Sequence, residues 1–141
     1  MRAIGLDVGQ VRIGVAVSDP DQTTAFPLTV IIRTDDMAAI DAILLIVAEQ
    51  EAVKIIYGLP RRLDGTIGTQ AEETERFVEL LRRQTTAKIA AQDERLTSAQ
   101  AERVLLAQGV KRAKRREIID KMAAAIILQA YLDGVYGEKQ E

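Results

Sequence analysis

The chain has 141 residues, with 19 Lys and Arg against 21 Asp and Glu for a formal charge of −2, 48% hydrophobic residues, and neither cysteine nor histidine. This is ordinary globular usage, and it excludes a disulfide framework, thiolate or imidazole metal sites, and Ser-His or Cys-His nucleophile pairs, so any catalysis has to run on carboxylates, lysines, hydroxyls or a bound ion. We expect one domain over residues 1–137 with a short polar tail at 138–141; Met1 to Asp7 does not read as a signal peptide, and apolar runs such as 42–48 are too short to span a membrane, which makes the expected location cytoplasmic.

In chain order, Ala3 to Gly9 reads as a buried strand carrying one acidic residue, Asp7. Alternation sends Ile4, Leu6 and Val8 to one face and Gly5, Asp7 and Gly9 to the other. A tight turn at Gln10-Val11 follows, and then Arg12 to Asp19 alternates again, with Gly14, Ala16 and Ser18 sharing the small-residue face. The hairpin therefore keeps one face hollow, leaving a gap at Asp7 in which a metal ion or a phosphate could approach the backbone. A strand-end Asp facing water is the plainer alternative.

Leu28 to Arg33 reads as a third strand, and Asp35-Asp36 offer caps for a helix over 37–51. The near-continuous apolar run Val53 to Leu59 suits a parallel strand covered on both faces. A polar loop spans 61–68, and Thr69-Gln70-Ala71-Glu72 reads as a capping box opening a helix with a core stripe at Ala71, Thr74, Phe77, Val78 and Leu81. Residues 87–92 form an alanine-rich strand of poor intrinsic propensity, and Thr97-Ser98-Ala99-Gln100 is a second capping box for a short helix ending near Gly109.

The last helix is expected over 116–136. Asp120 shares its face with Ala123, Ala124, Ile127 and Tyr131, which makes it a second acidic residue among apolar neighbours, on a helix whose Ala123 to Ala125 run permits close approach to the sheet. Proximity to the helix N-terminus, favouring the dipole, is the other explanation for an Asp there. Glu94 follows the alanine-rich strand, at the kind of strand end where open α/β sheets carry functional groups, although alone it reads as a surface Glu. Three carboxylates on three elements, without His or Cys, suit a hard divalent cation bound through oxygen, Mg²⁺ or Mn²⁺. Such ions orient water and stabilise oxyanions in displacement at phosphorus, so the expected chemistry is phosphodiester hydrolysis. With no fixed positive charge guaranteed among them, at least one of the three should have a raised pKa.

The small net charge does not by itself indicate a polyanion partner, and its distribution matters more. Lys111, Arg112, Lys114, Arg115 and Arg116 are packed into six positions, and Arg61 and Arg62 stand beside a glycine-bearing loop, all candidates for nucleic-acid backbone contacts; a solvated helix start is the alternative for the run. Arg12 and Arg95 are further candidates to contact phosphate or to orient those carboxylates.

The segments Gly5-Leu6-Asp7-Val8-Gly9, Arg12-Ile13-Gly14-Val15-Ala16, Gly58-Leu59-Pro60, Asp64-Gly65, Asp93-Glu94-Arg95-Leu96-Thr97 and Ile119-Asp120 with Ala123-Ala124 together resemble the YqgF (RuvX) family in order and spacing, over nearly the whole chain. The resemblance implies an α/β ribonuclease H-like fold, a central mixed sheet flanked by helices, shared with resolvases of the RuvC type. It also implies an endonuclease that processes the 5′ end of pre-16S ribosomal RNA, with Asp7, Glu94 and Asp120 as its metal-binding acidic triad. Tyr57, where a smaller aliphatic residue is usual, and the alanine-rich strand depart from the pattern. The expected partners are nucleic acid, RNA before DNA, and a ribosomal precursor particle, with no membrane; the protein would be a monomer or homodimer. Three other readings stay open: a resolvase of branched DNA, a non-catalytic RNA-binding module, and a nucleotide binder of the actin and sugar-kinase type, against which the length argues.

Overall fold

The computed structural model describes residues 1–60, 68–94 and 112–140. Strands β1 (Arg2–Val8), β2 (Arg12–Ser18), β3 (Ala25–Ile32), β4 (Ala52–Pro60) and β5 (Lys88–Glu94) form one sheet in the order β3-β2-β1-β4-β5. The first three strands are an antiparallel meander, whereas β1 with β4 and β4 with β5 run parallel, which makes the sheet mixed. The described helices are α1 (Asp36–Glu49), α2 (Thr69–Arg82) and α3 (Arg112–Gln140).

The period-2 alternation of the strands sorts two cores onto the two faces of this sheet. On one face Ile4, Leu6, Val8, Ile13, Val15 and Val17 pack with Ile55, Tyr57 and Leu59 against α1 and α2. On the other, Ala3, Ala16 and Ile56 pack with Ala124, Ile127, Leu128 and Leu132 of α3. β4 contributes to both, as its unbroken apolar run requires. The departure at Tyr57 is accommodated on the first face: its hydroxyl donates to Glu75 Oε1 of α2 at 2.8 Å, and burial together with that carboxylate pushes the phenol up to about 12.

Several boundaries differ from those read in the sequence. β3 begins at Ala25 and includes Pro27, which lies on an edge strand next to a register shift, opposite Ala16, the kind of position at which a sheet tolerates proline. Asp35 caps α1 as expected, accepting from Ala38 N. The capping box at Thr69 does not form: Gly68 is the N-cap, with no side-chain cap bond, and Thr69 is already helical. The expected helix over 97–109 lies outside the described residues. The alanine-rich segment is a strand, held by parallel pairing with β4 from Lys54↔Lys88 to Pro60↔Glu94 rather than by its own propensity. α3 starts at Arg112 and not near Arg116, so Asp120 stands two turns inside the helix, beyond the first turn in which a dipole effect operates.

The hollow face of the hairpin is filled, and by backbone. A Cβ on Gly14 would run into the Asp120 carbonyl oxygen, and one on Gly5 would lie 2.7 Å from Leu128 Cβ and 2.9 Å from the Ala124 carbonyl oxygen. The gap expected around Asp7 is therefore taken up in large part by α3. Gly14→Ala has to push the helix off the sheet, and it should cost about 2–3 kcal/mol or more. Gly134→Ala, where nothing lies within 4 Å, should instead stabilise α3 by roughly 0.5–1 kcal/mol. Urea melts of the two variants check this pair of opposite signs.

Candidate active site

The contact between α3 and Gly14 determines what lies next to Asp7. Asp7 and Gly14 are directly paired across β1 and β2, and residues so paired share a face with their Cβ positions about 5 Å apart. With the Asp120 backbone seated over Gly14, the two carboxylates become neighbours. Asp7 is half-buried, and no donor among the described residues reaches its carboxylate. Burial first, and the negative charge of Asp120 second, raise its pKa from 3.8 to about 6. The raised carboxyl expected from the sequence is thus Asp7.

Asp120 differs from it in having a partner. Arg12 Nε donates to Asp120 Oδ2 at 2.7 Å, with the two side chains 30% and 20% exposed. Arg12 shares the Gly14 face of β2 at its first position, immediately after the turn. That turn is tied by Gly9 N donating to Arg12 O at 2.9 Å and by Arg33, whose Nη1 donates to the Gly9 carbonyl at 2.9 Å. Arg33 is itself paired with Asp36 and stacked 4.6 Å over the Phe77 ring. A cleft of about 400 Å³ opens here, lined by Gly9, Gln10, Val11, Arg12, Gln70 and Asp120.

Of the residues singled out in the sequence, Asp7, Asp120 and Arg12 come together. Glu94 is the last residue of β5, paired with Pro60, and the strand registers put it on the same sheet face as Asp7, two strands away, whereas Asp93 falls on the opposite face. Among the described side chains the acidic cluster is the pair Asp7 and Asp120; the side chain of Glu94 is outside them. Arg112, Arg115 and Arg116 lie in the first turns of α3 with Lys114, which is exposed. Positive charge at a helix N-terminus opposes the dipole, so the local physics of the helix does not account for this run. Arg61, Arg62, Arg95 and Lys111 lie outside the described residues. The sequence reading missed Arg33, Gln10 and Gln70. No pattern pointed to Arg33, because its partners Gly9 and Phe77 are remote in sequence.

As a fold, this is the mixed sheet of ribonuclease H-like resolvases. Thermus thermophilus RuvC in complex with a Holliday junction substrate superimposes with a TM-score of 0.61 at 17% identity, covering 97% of this chain and 96% of that one. The fowlpox virus resolvase, in its complex with Holliday junction DNA, gives a TM-score of 0.54 at 11% identity, covering 96% and 99%. The chain belongs to the RuvX family, whose model, described as Holliday junction resolvase, matches residues 1–134. Relatives from Thermoanaerobacter pseudethanolicus, 47% identical with 94% of this chain and 96% of that one covered, and Clostridium novyi, 46% identical with 96% and 100% covered, are each named as a pre-16S rRNA nuclease. The protein is accordingly a nuclease, hydrolysing phosphodiester bonds. No described helix is long and apolar enough to cross a membrane.

The raised Asp7 pKa makes a stability prediction. A carboxyl with a folded pKa near 6 against 3.8 binds its proton more tightly in the folded state. In EDTA the wild type should therefore lose stability as pH rises from about 4 to about 7 and stay level above, a total on the order of 3 kcal/mol. Asp7→Asn cannot ionise, so it should melt higher than wild type in EDTA at pH 7, with the gap closing towards pH 4. Melting curves across that range decide it, and a gap independent of pH would remove the strain from Asp7.

Proposed function

We propose that this protein is a divalent-metal-dependent endonuclease that processes the 5′ end of pre-16S ribosomal RNA, with Asp7, Glu94 and Asp120 as the acidic residues of its centre. The observation that carries this reading is the pairing of a half-buried Asp7 carboxylate, which no donor among the described residues reaches, with Asp120 at the edge of a cleft. The donor set fits a hard cation: it is all oxygen, it is anionic, and no donor among the described residues reaches the Asp7 carboxylate. When bound, Mg²⁺ or Mn²⁺ would supply charge stabilisation for displacement at phosphorus and a more acidic water.

The rest of the work falls to the chain. Asp7 and Asp120, carried by the β1-β2 hairpin and α3, would hold the ion, with Glu94 at the end of β5 as the third proposed ligand. Gln10 and Gln70 line the cleft with neutral donors and acceptors, and the basic run at the start of α3 holds the RNA backbone. The names of the 46–47% identical relatives support the RNA substrate. The family description supports a second reading, cleavage of branched DNA at a Holliday junction.

Two experiments test these assignments. On a panel of a pre-16S 5′ precursor RNA, an unrelated single-stranded RNA and a synthetic four-way DNA junction, the precursor should be cut best, and EDTA should abolish cutting. Asp7→Asn, Glu94→Gln and Asp120→Asn should each lower the rate by on the order of 100-fold or more, with double variants no worse than singles, since ligands of one ion act as a unit. Near-normal activity in any one of them, in both Mg²⁺ and Mn²⁺, removes that residue from the centre. Separately, replacing Lys114 and Arg115 by Gln should flatten the dependence of log affinity on log salt for single-stranded RNA by about 0.7 for each phosphate no longer neutralised. An unchanged slope would make the run a solvated face.

A further inference from the structure

The Arg12 guanidinium occupies a position that the proposed function leaves unexplained. It sits on a carboxylate assigned to hold a doubly charged cation, using Nε on Asp120 Oδ2 at 2.7 Å. Its two terminal nitrogens, Nη1 and Nη2, donate to nothing among the described residues, and the side chain lines the cleft with Gln10, Gln70 and Asp120. The pair is only partly buried, so the guanidinium has room to move along the cleft wall. Arginine stays charged at every working pH, and its fork presents donors on more than one edge, so engaging Asp120 through Nε leaves the outer edge free for a phosphodiester oxygen.

From this geometry we propose that Arg12 is a built-in counterion that couples metal binding to nucleic-acid binding. The inference rests on the reading of Asp7 and Asp120 as metal ligands. Without substrate, the guanidinium neutralises Asp120, and because it sits on a carboxylate assigned to a divalent cation, its positive charge opposes that cation. A phosphodiester entering the cleft carries the negative charge that both positive groups need, and it draws the free edge of Arg12 to itself. The opposition is thereby relieved, and substrate and metal strengthen each other's binding by the same factor, as linkage requires. The chain thus keeps its metal site weak until a backbone phosphate is present. Arg12 is a positioning residue in this scheme, acting on the centre through Asp120 and through the substrate.

The test measures binding and needs no turnover. Ca²⁺, a divalent ion that seeks oxygen ligands, replaces Mg²⁺, and gels confirm that the RNA stays intact. Ca²⁺ affinity is measured by calorimetry on wild type, Arg12→Gln, Arg12→Lys and Asp7→Asn, each alone and with a saturating single-stranded RNA oligonucleotide. In wild type the RNA should raise Ca²⁺ affinity on the order of tenfold. Arg12→Gln should bind Ca²⁺ more tightly than wild type without RNA, by a similar factor, and should gain little from RNA. Arg12→Lys keeps the charge without the second edge, so it should bind Ca²⁺ as weakly as wild type without RNA but gain less from RNA, and it guards against a Gln variant that folds poorly. Arg12→Gln binding Ca²⁺ as weakly as wild type, or more weakly, would overturn the proposal, as would full coupling in that variant. If Asp7→Asn binds Ca²⁺ as wild type does, the metal-site reading itself has failed, and the counterion role fails with it; if Asp7→Asn loses Ca²⁺ but Arg12→Gln is unchanged, the counterion role alone is wrong.

Discussion

The structure depends on the absence of a side chain at Gly14. Because nothing projects from that position, the α3 backbone lies directly on the β1-β2 hairpin, with the Asp120 carbonyl where a Cβ would otherwise be. Two consequences follow from this approach. The small core of Ala3, Ala16, Ile56, Ala124, Ile127 and Leu128 closes, since such short side chains make dense contact only at short interaxial distance. And Asp120 arrives beside the cross-strand neighbour of Gly14, which is Asp7. Packing and chemistry are set by one contact, so a substitution that loosens the helix also separates the carboxylates.

Bringing two carboxylates together works against stability, and the way the charge is distributed shows where the cost falls. Asp120 has Arg12 to compensate it. Asp7, set against the sheet with no donor among the described residues, carries the desolvation and the repulsion, and its pKa rises accordingly. A protein selected for stability alone would place Asn or Ser at position 7. The acid is kept where it is least stable, which is how residues retained for chemistry are commonly recognised.

Much of this was legible in the sequence because it follows from period-2 alternation. Gly5, Asp7, Gly14 and Ala16 share a face by counting, and Asp120 joins Ala123, Ala124 and Ile127 by the helical repeat, so the two elements could be matched through their small residues. What the glycines make room for was not legible: a face without side chains reads equally well as space for a ligand and as space for a helix, and here the helix takes most of it. Local rules erred where tertiary context prevailed. The Thr69 capping box lost to a Gly68 cap, and the third strand starts at Ala25, three residues before the expected Leu28, whereas the alanine-rich segment is the expected strand, with Ala90 and Ala91 paired to Ile56 and Tyr57. The role of Arg33, which joins residues 24 and 44 positions away, lies beyond any local pattern.

The register of the hairpin completes the argument. A slip of one residue between β1 and β2 would turn Asp7 into the core of Ile4, Leu6 and Val8 and set a bulky side chain against α3. The turn opposes that slip, because Gly9 N bonds to Arg12 O and a Cβ at position 9 would fall 2.5 Å from that same oxygen, which no side chain tolerates. Arg33 holds the Gly9 carbonyl from the other side, braced on Phe77, a fully buried residue of α2. The geometry around Asp7 is therefore maintained from both faces of the sheet. α3 brings the second carboxylate, while the α1-α2 face, through Arg33, fixes the turn from which Arg12 reaches it. The site can hold like charges together because neither face alone has to supply both position and charge.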